Sequence, residues 1–245
     1  MIKNTYWILL MGCWLMVACE NASNKSDASD VIATDSTALD DTIQVKDQVL
    51  NIEPIGKEIY DKQTNYGFQA AERANENLSL LQDSSFIKLK DTVYTIKLKN
   101  DSSLQLVELS NEEYIDNYVN YTYAGKLPGT ELMVFVCSYY EAYDYLLVNQ
   151  ENGQQTYMWG VPSLSPDRKH ILSFNYDLAA AFTPNGIQLY EIGNQGLTLV
   201  FEKEFDTWGP ESPKWVDNNT IYLVQSSQNL VDGNDQKSYA KIVLK

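Results

Sequence analysis

Carboxylates and tyrosines supply most of the reactive groups in this chain. Its 245 residues hold 33 Asp and Glu and 17 Tyr, but only one His and three Cys. A lone His170 cannot furnish the several imidazole or thiolate ligands of an ordinary zinc site. As the base of a Ser-His-Asp relay it would have to sit beside a nucleophile, yet it follows Ser165-Pro166-Asp167 and opens an apolar strand, the position of a turn-end side chain. No glycine-rich phosphate loop of either usual spacing occurs. Asp232-Gly233-Asn234-Asp235 does not have the order of acids before a glycine that an EF-hand calcium loop needs, and it reads as a turn. Two-carboxylate hydrolysis needs a pair distinguished by its surroundings, and none stands out. The expectation is no catalytic residue, no metal and no cofactor.

Aromatic side chains are the other candidates. Tyr118, Tyr121, Tyr123, Tyr139, Tyr140, Tyr143 and Tyr145 crowd one stretch, with Trp159, Trp208 and Trp215 further on. Tyrosines at alternate positions fill one face of a sheet, and Trp215 suits the space between two sheets. Exposed rings instead bind sugars and peptides by stacking. Tyr139-Tyr140-Glu141-Ala142-Tyr143-Asp144 falls between two apolar runs and so reads as a loop, where binding residues concentrate. Tyr139, Tyr140, Tyr143, Trp159 and Trp208 form the candidate binding surface.

Cys19 has a chemistry of its own. Lys3 precedes an apolar run from Tyr6 to Ala18, too short to span a bilayer, which ends in Met16-Val17-Ala18-Cys19. A positive end, a short apolar core and a small residue before the cut predict a secretory signal peptide over 1–18, cleaved between Ala18 and Cys19. The four residues resemble the lipobox of bacterial lipoproteins, with Met16 where Leu is usual. That resemblance implies acylation of Cys19 and of its freed amine, so the bilayer becomes a partner through several acyl chains. One chain alone would hold only marginally. Glu20, rather than Asp, follows the cysteine, so the outer membrane of a bacterial envelope is expected over the inner one.

The formal net charge of −15 suits neither phosphate backbones nor anionic membrane surfaces, so no nucleic-acid partner is expected. With Cys19 lipidated and Cys13 removed, Cys137 has no disulfide partner and the fold must rest on its core. Roughly 190 residues beyond the tether suffice for one domain.

Residues 19–50, rich in Ser, Thr, Asp and Asn and free of aromatics, predict a disordered acidic tether. Residues 51–84 predict a helical lead-in. Within it, Phe68, Ala71, Leu78 and Leu81 share the spacing of one helix over Thr64–Leu81. From residue 85 to 245 the pattern turns to strands. Runs such as Val93–Leu98, Leu132–Val136, Tyr145–Val148, Ile187–Tyr190 and Ile221–Val224 are separated by turns at Asn100, Gly153 and Gly193-Asn194.

A repeat underlies this plan. Pro162-Ser163-Leu164-Ser165-Pro166-Asp167 precedes the strand opening at Ile171, and Pro213-Lys214-Trp215-Val216-Asp217 precedes the one opening at Ile221. Ser165-Pro166-Asp167 before an apolar strand resembles the TolB-like β-propeller repeat of exported bacterial proteins. Tyr121-Thr122-Tyr123, Leu127-Pro128-Gly129 and Pro184-Asn185-Gly186-Ile187 are similar to stretches in a group of uncharacterised bacterial envelope lipoproteins. Two departures stand out: Arg168 replaces the usual Gly after Pro-Asp, and the second copy lacks Ser-Pro before Asp217. The resemblance implies a mainly β fold, a partial or about four-bladed β-propeller-like repeat with one short N-terminal helix; the alternative is a twisted β-sandwich. The resemblance says little of function; the missing chemistry, the long acidic tether and a repeat fold of a kind that usually binds point to a non-enzymatic binding or interaction module. Its partner would be an envelope protein or, through the tyrosine loop, a glycan, and a homodimer is compatible. A carboxylate-dependent hydrolase is the remaining alternative.

Overall fold

The structure, a computed structural model, describes residues 42–45, 48–70, 85–109, 118–228 and 235–244. The expected signal peptide, the cleavage site at Ala18 and Cys19, and most of the tether lie outside the described residues. No helix among the described residues is long and apolar enough to cross a membrane.

The architecture is mainly β. Every strand pairing is antiparallel, and within each sheet most neighbours are consecutive in sequence. β4 (Ile87–Lys90), β5 (Val93–Lys97) and β6 (Ser103–Val107) form a three-stranded sheet. β7 (Asn120–Lys126), β8 (Leu132–Ser138), β9 (Tyr143–Asn149) and β10 (Gln155–Met158) form a four-stranded one. β11 (Val161–Leu164), β12 (His170–Asn175), β13 (Gly186–Gly193) and β14 (Gly196–Glu204) follow in the same manner, with the two-residue β3 (Phe68–Gln69) added beside β11. The last sheet joins both ends of the described chain. β15 (Gly209–Trp215), β16 (Thr220–Gln228) and β17 (Asp235–Val243) continue into β2 (Gln48–Ile55) and β1 (Thr42–Val45), with Ile242 opposite Ile52. No sheet among the described residues closes into a barrel.

Period-two alternation explains how these sheets stack. In β8 every residue from Leu132 to Cys137 is buried, which a strand with one wet face cannot achieve. Leu132, Val134 and Val136 enter one core with Leu147 of β9 and Ile171, Ile187, Ile221 and Ile242 of the later sheets. Met133, Phe135 and Cys137 enter a second core with Ile87, Tyr94, Ile96 and Leu106 of the three-stranded sheet. Burying each large side chain contributes ~1.5–3 kcal/mol. The β7–β10 sheet therefore lies between two apolar layers.

The two turns of the sequence repeat take equivalent places, β11–β12 and β15–β16. Asp167 accepts from the Lys169 N–H at 3.2 Å, and Asp217 accepts from those of Asn219 and Thr220 at 2.8 and 2.7 Å. In the first turn Ser165 Oγ also accepts from the His170 N–H at 3.0 Å. The second turn is one residue shorter, and Asp217 serves both amides itself. Arg168 sits at φ 62°, the left-handed conformation that the usual Gly would adopt without strain.

Two expectations need correction. The helix is not at Thr64–Leu81. The one helix among the described residues is α1 (Lys57–Lys62), residues 64–70 are not helical, and 71–81 lie outside the described residues. Asn65 breaks the periodic reading: its side-chain oxygen accepts from its own neighbour Gly67 N–H at 3.0 Å and from the Trp215 N–H at 3.0 Å. The Tyr66 N–H donates to the Trp215 carbonyl at 2.8 Å, and Phe68 then pairs with Leu164 as strand. The tether also ends earlier than residue 50. Residues 42–45 and 48–50 are strand, and Ile43 is fully buried in the first core. Pairing of β2 with β17 supplies backbone partners that local composition does not announce.

Candidate functional site

Three connections meet at one end of the sheets. The β8–β9 turn is closed by the Tyr139 N–H donating to the Ala142 carbonyl at 2.8 Å, which leaves Tyr140 and Glu141 at its tip. The β12–β13 connection is tied by Asp177, whose carboxylate accepts from the Thr183 N–H at 2.7 Å and the Thr183 hydroxyl at 2.9 Å. Asn185 Nδ2 donates to the carbonyls of Phe205 and Trp208 at 2.6 and 2.8 Å, anchoring the same loop to the chain before β15. At the β10–β11 connection the Trp159 N–H donates to Gln188 Oε1 at 3.0 Å. Gly160 follows because an added Cβ would come within 2.0 Å of the Phe174 carbonyl oxygen.

A pocket of about 370 Å³ opens between these connections, with Tyr139, Tyr143, Asp144, Tyr157, Trp159 and Phe182 in its walls. Tyr143 also lines a depression of about 570 Å³ that reaches Tyr176 and Pro210, and another of about 450 Å³ beneath Tyr140. Tyr143 is thus common to three adjoining depressions, and aromatic rings contribute to each of them.

Four of the five expected binding residues belong to these depressions. Tyr139, Tyr143 and Trp159 are half-buried in the pocket wall, and Tyr140 is 66% exposed at the loop tip. Trp208 does not belong, a correction to the expected surface. It is 1% exposed and stacks on Phe205 with ring centroids 3.8 Å apart. Trp208 is a core side chain because the segment between β14 and β15 folds inward over the first core.

Asp144 is the residue that sequence reasoning left unassigned. It is the second residue of β9, on the same face as Leu146, and lies opposite Cys137 in the register. The Tyr139 hydroxyl donates to its two oxygens at 3.2 and 3.1 Å. Burial pushes its carboxyl up to about 6, although Tyr139 and Cys137 both donate to it. Burial, and then the charge of Asp144, raises the Cys137 thiol and the Tyr139 phenol well above their ordinary values. Burial likewise raises Tyr121, whose hydroxyl meets that of Tyr157. A carboxylate heading an apolar strand, on its inward face, was the available signal. Phe182 and Tyr157 carried no signal, since the β12–β13 loop and β10 meet the tyrosine loop only after folding.

Chemically, the pocket offers aromatic faces and one carboxylate. Among the described residues Asp144 is the one carboxylate that lines it, and Glu141 lines the adjoining depression. Among the described residues no three His, Cys, Asp or Glu side chains converge to hold a metal. His170 is elsewhere, at the start of β12, with its N–H bound to Ser165 Oγ.

Fold and site together define a mainly β protein of stacked antiparallel sheets with an aromatic-lined end. Comparison with models of known families, with curated proteins and with solved structures finds no match to this chain.

Proposed function

We propose that this chain is a lipid-anchored binding module of the bacterial envelope, held through acylated Cys19, whose recognition surface is the aromatic end of the sheets. The single observation that carries it is the convergence of three separate connections around the aromatic-lined pocket, beside two further depressions that share Tyr143 with it. Fully or partly exposed rings grouped in this way are the usual anchors of binding surfaces.

A small four-bladed propeller-like arrangement is the finer fold we propose. Support comes from sheets that follow one another as meanders, and from the sheet that combines β2 with β17, as a ring closed by both chain ends would require. Different sheets also touch, at turns where Asn152 Nδ2 donates to the Gln195 carbonyl at 3.0 Å, and between strands where Trp215 Nε1 donates to that of Ser163 at 3.1 Å.

In-cell cross-linking of the intact protein tests the function. One envelope protein recovered near one-to-one, and lost with Tyr140→Ala, is the expected outcome. Recovery of the chain alone would overturn it. Palmitate labelling should vanish in Cys19→Ser, and persistent labelling would refute the anchor.

The exposed Tyr140 ring favours one second reading, a glycan partner stacked on the loop. Glycan-array binding abolished by Tyr140→Ala would select it.

A further inference from the structure

We propose that the pocket walled by Tyr139, Tyr143, Tyr157, Trp159 and Phe182 takes an ammonium group, with the Asp144 carboxylate as its counter-ion. The proposal deepens the binding reading above and rests on it.

Three observations point to a cation. First, Asp144 lines the pocket from a partly buried position, and neutral donors, the Tyr139 hydroxyl and the Cys137 thiol, hydrogen-bond to it. No Lys, Arg or His forms an ion pair with it among the described residues. A carboxylate withdrawn from water without a cation is costly, and an arriving ammonium would relieve that cost. Second, the remaining walls are mainly rings, whose negative faces attract alkylammonium groups. Third, no Lys, Arg or His lines the pocket among the described residues. Glu141 stands at the neighbouring loop tip, and the chain carries a formal charge of −15.

Size narrows the ligand. At about 370 Å³ the pocket is near the small end of ligand sites, which span ~300–1,000 Å³. It suits a single alkylammonium head, either a free amine or the tip of a lysine side chain in a partner protein. A neutral sugar could donate hydroxyl hydrogen bonds to Asp144 but would leave its charge without a counter-ion.

The pH dependence follows from the same geometry. The titratable groups facing Asp144 are Cys137 of β8, Tyr139 after it, Tyr121 of β7 and Tyr157 of β10, and all four are shifted upward. None of them changes charge between pH 5 and 7.5 (a working range), so Asp144 alone governs the pocket there. Affinity for a permanently charged ligand should fall about tenfold on acidification across that range, as the carboxylate is protonated.

The test uses the intact chain in detergent, with choline as probe. Its uncharged isostere 3,3-dimethyl-1-butanol is the control, and Nα-acetyl-lysine methylamide represents a peptide source. Binding is read by calorimetry and by tryptophan fluorescence, since Trp159 forms part of the wall. Expected is binding of choline or the lysine amide at least about tenfold tighter than the neutral isostere, lost with Asp144→Asn. Choline binding alone assigns a free small alkylammonium, and lysine-amide binding alone assigns a peptide. Phe182→Ala should also weaken binding; Phe182 is 57% exposed, so its removal does not threaten folding. Equal binding of charged and neutral probes, or no binding of either amine at millimolar concentration, overturns the proposal. If the amines fail while Tyr140→Ala still abolishes the cross-linked partner, the recognition surface stands and the cation assignment falls.

Discussion

Asp144 shows how one side chain can matter to both stability and recognition. Its carboxyl is raised to about 6 by burial, above the ordinary 3.8, so the folded state holds that proton more tightly than the unfolded one. The stability this contributes is complete below about pH 4 and is lost as pH rises through about 6. Asp144→Asn keeps the shape and removes the charge. Its urea midpoint should therefore rise relative to the parent as pH goes from 4 to 7. A difference independent of pH would mean that the carboxyl is not desolvated in the way its surroundings imply. The tyrosine loop was legible at this scale, because Tyr139 to Asp144 interrupts two apolar runs. Trp208 was not, since an indole flanked by Thr207 and Gly209 looks like a loop side chain until the core closes over it.

Among the elements, the two repeat hairpins make the sharpest comparison. Both turns hold an aspartate against the amides that follow it, but only the first has Ser165 Oγ sharing the task. Asp217→Ala should lower stability by about 1 kcal/mol. Asp167→Ala should cost less, because the Lys169 and His170 N–H groups keep Ser165 as acceptor. Chemical denaturation of the two variants checks this, and equal losses would refute the sharing. The Asn219 N–H holds the Asp217 carboxyl below its usual value, aided by Thr220. Its contribution is present above the ordinary carboxylate range and disappears as pH falls through the lowered value. The repeat could be read in sequence because Pro and Asp mark turns locally. The helix could not, because Asn65 and the pairing of Phe68 with Leu164 outweigh a period that Phe68 and Ala71 only suggest.

For the whole molecule, the sheet shared by the two chain ends is decisive. β2 covers the edge of β17, and Ile43 and Ile52 close the first core. A chain beginning at residue 38 should melt with the full-length protein. One beginning at residue 57 should melt far lower and aggregate, because β17 becomes an open edge and two buried isoleucines are lost, at ~1.5–3 kcal/mol each. Equal melting of the two truncations would show that β17 needs no partner. The sequence by itself determined the β character past residue 85, the hairpin turns and the doubly apolar β8, because side-chain alternation and turn chemistry are local. Only the tertiary structure decided that residues 42–55 belong to the last sheet, that Trp208 is core, and that Asp144, Trp159 and Phe182 share one pocket. Periodicity reports which face of a strand is apolar; which distant segment covers that face depends on pairing and packing that no short window contains.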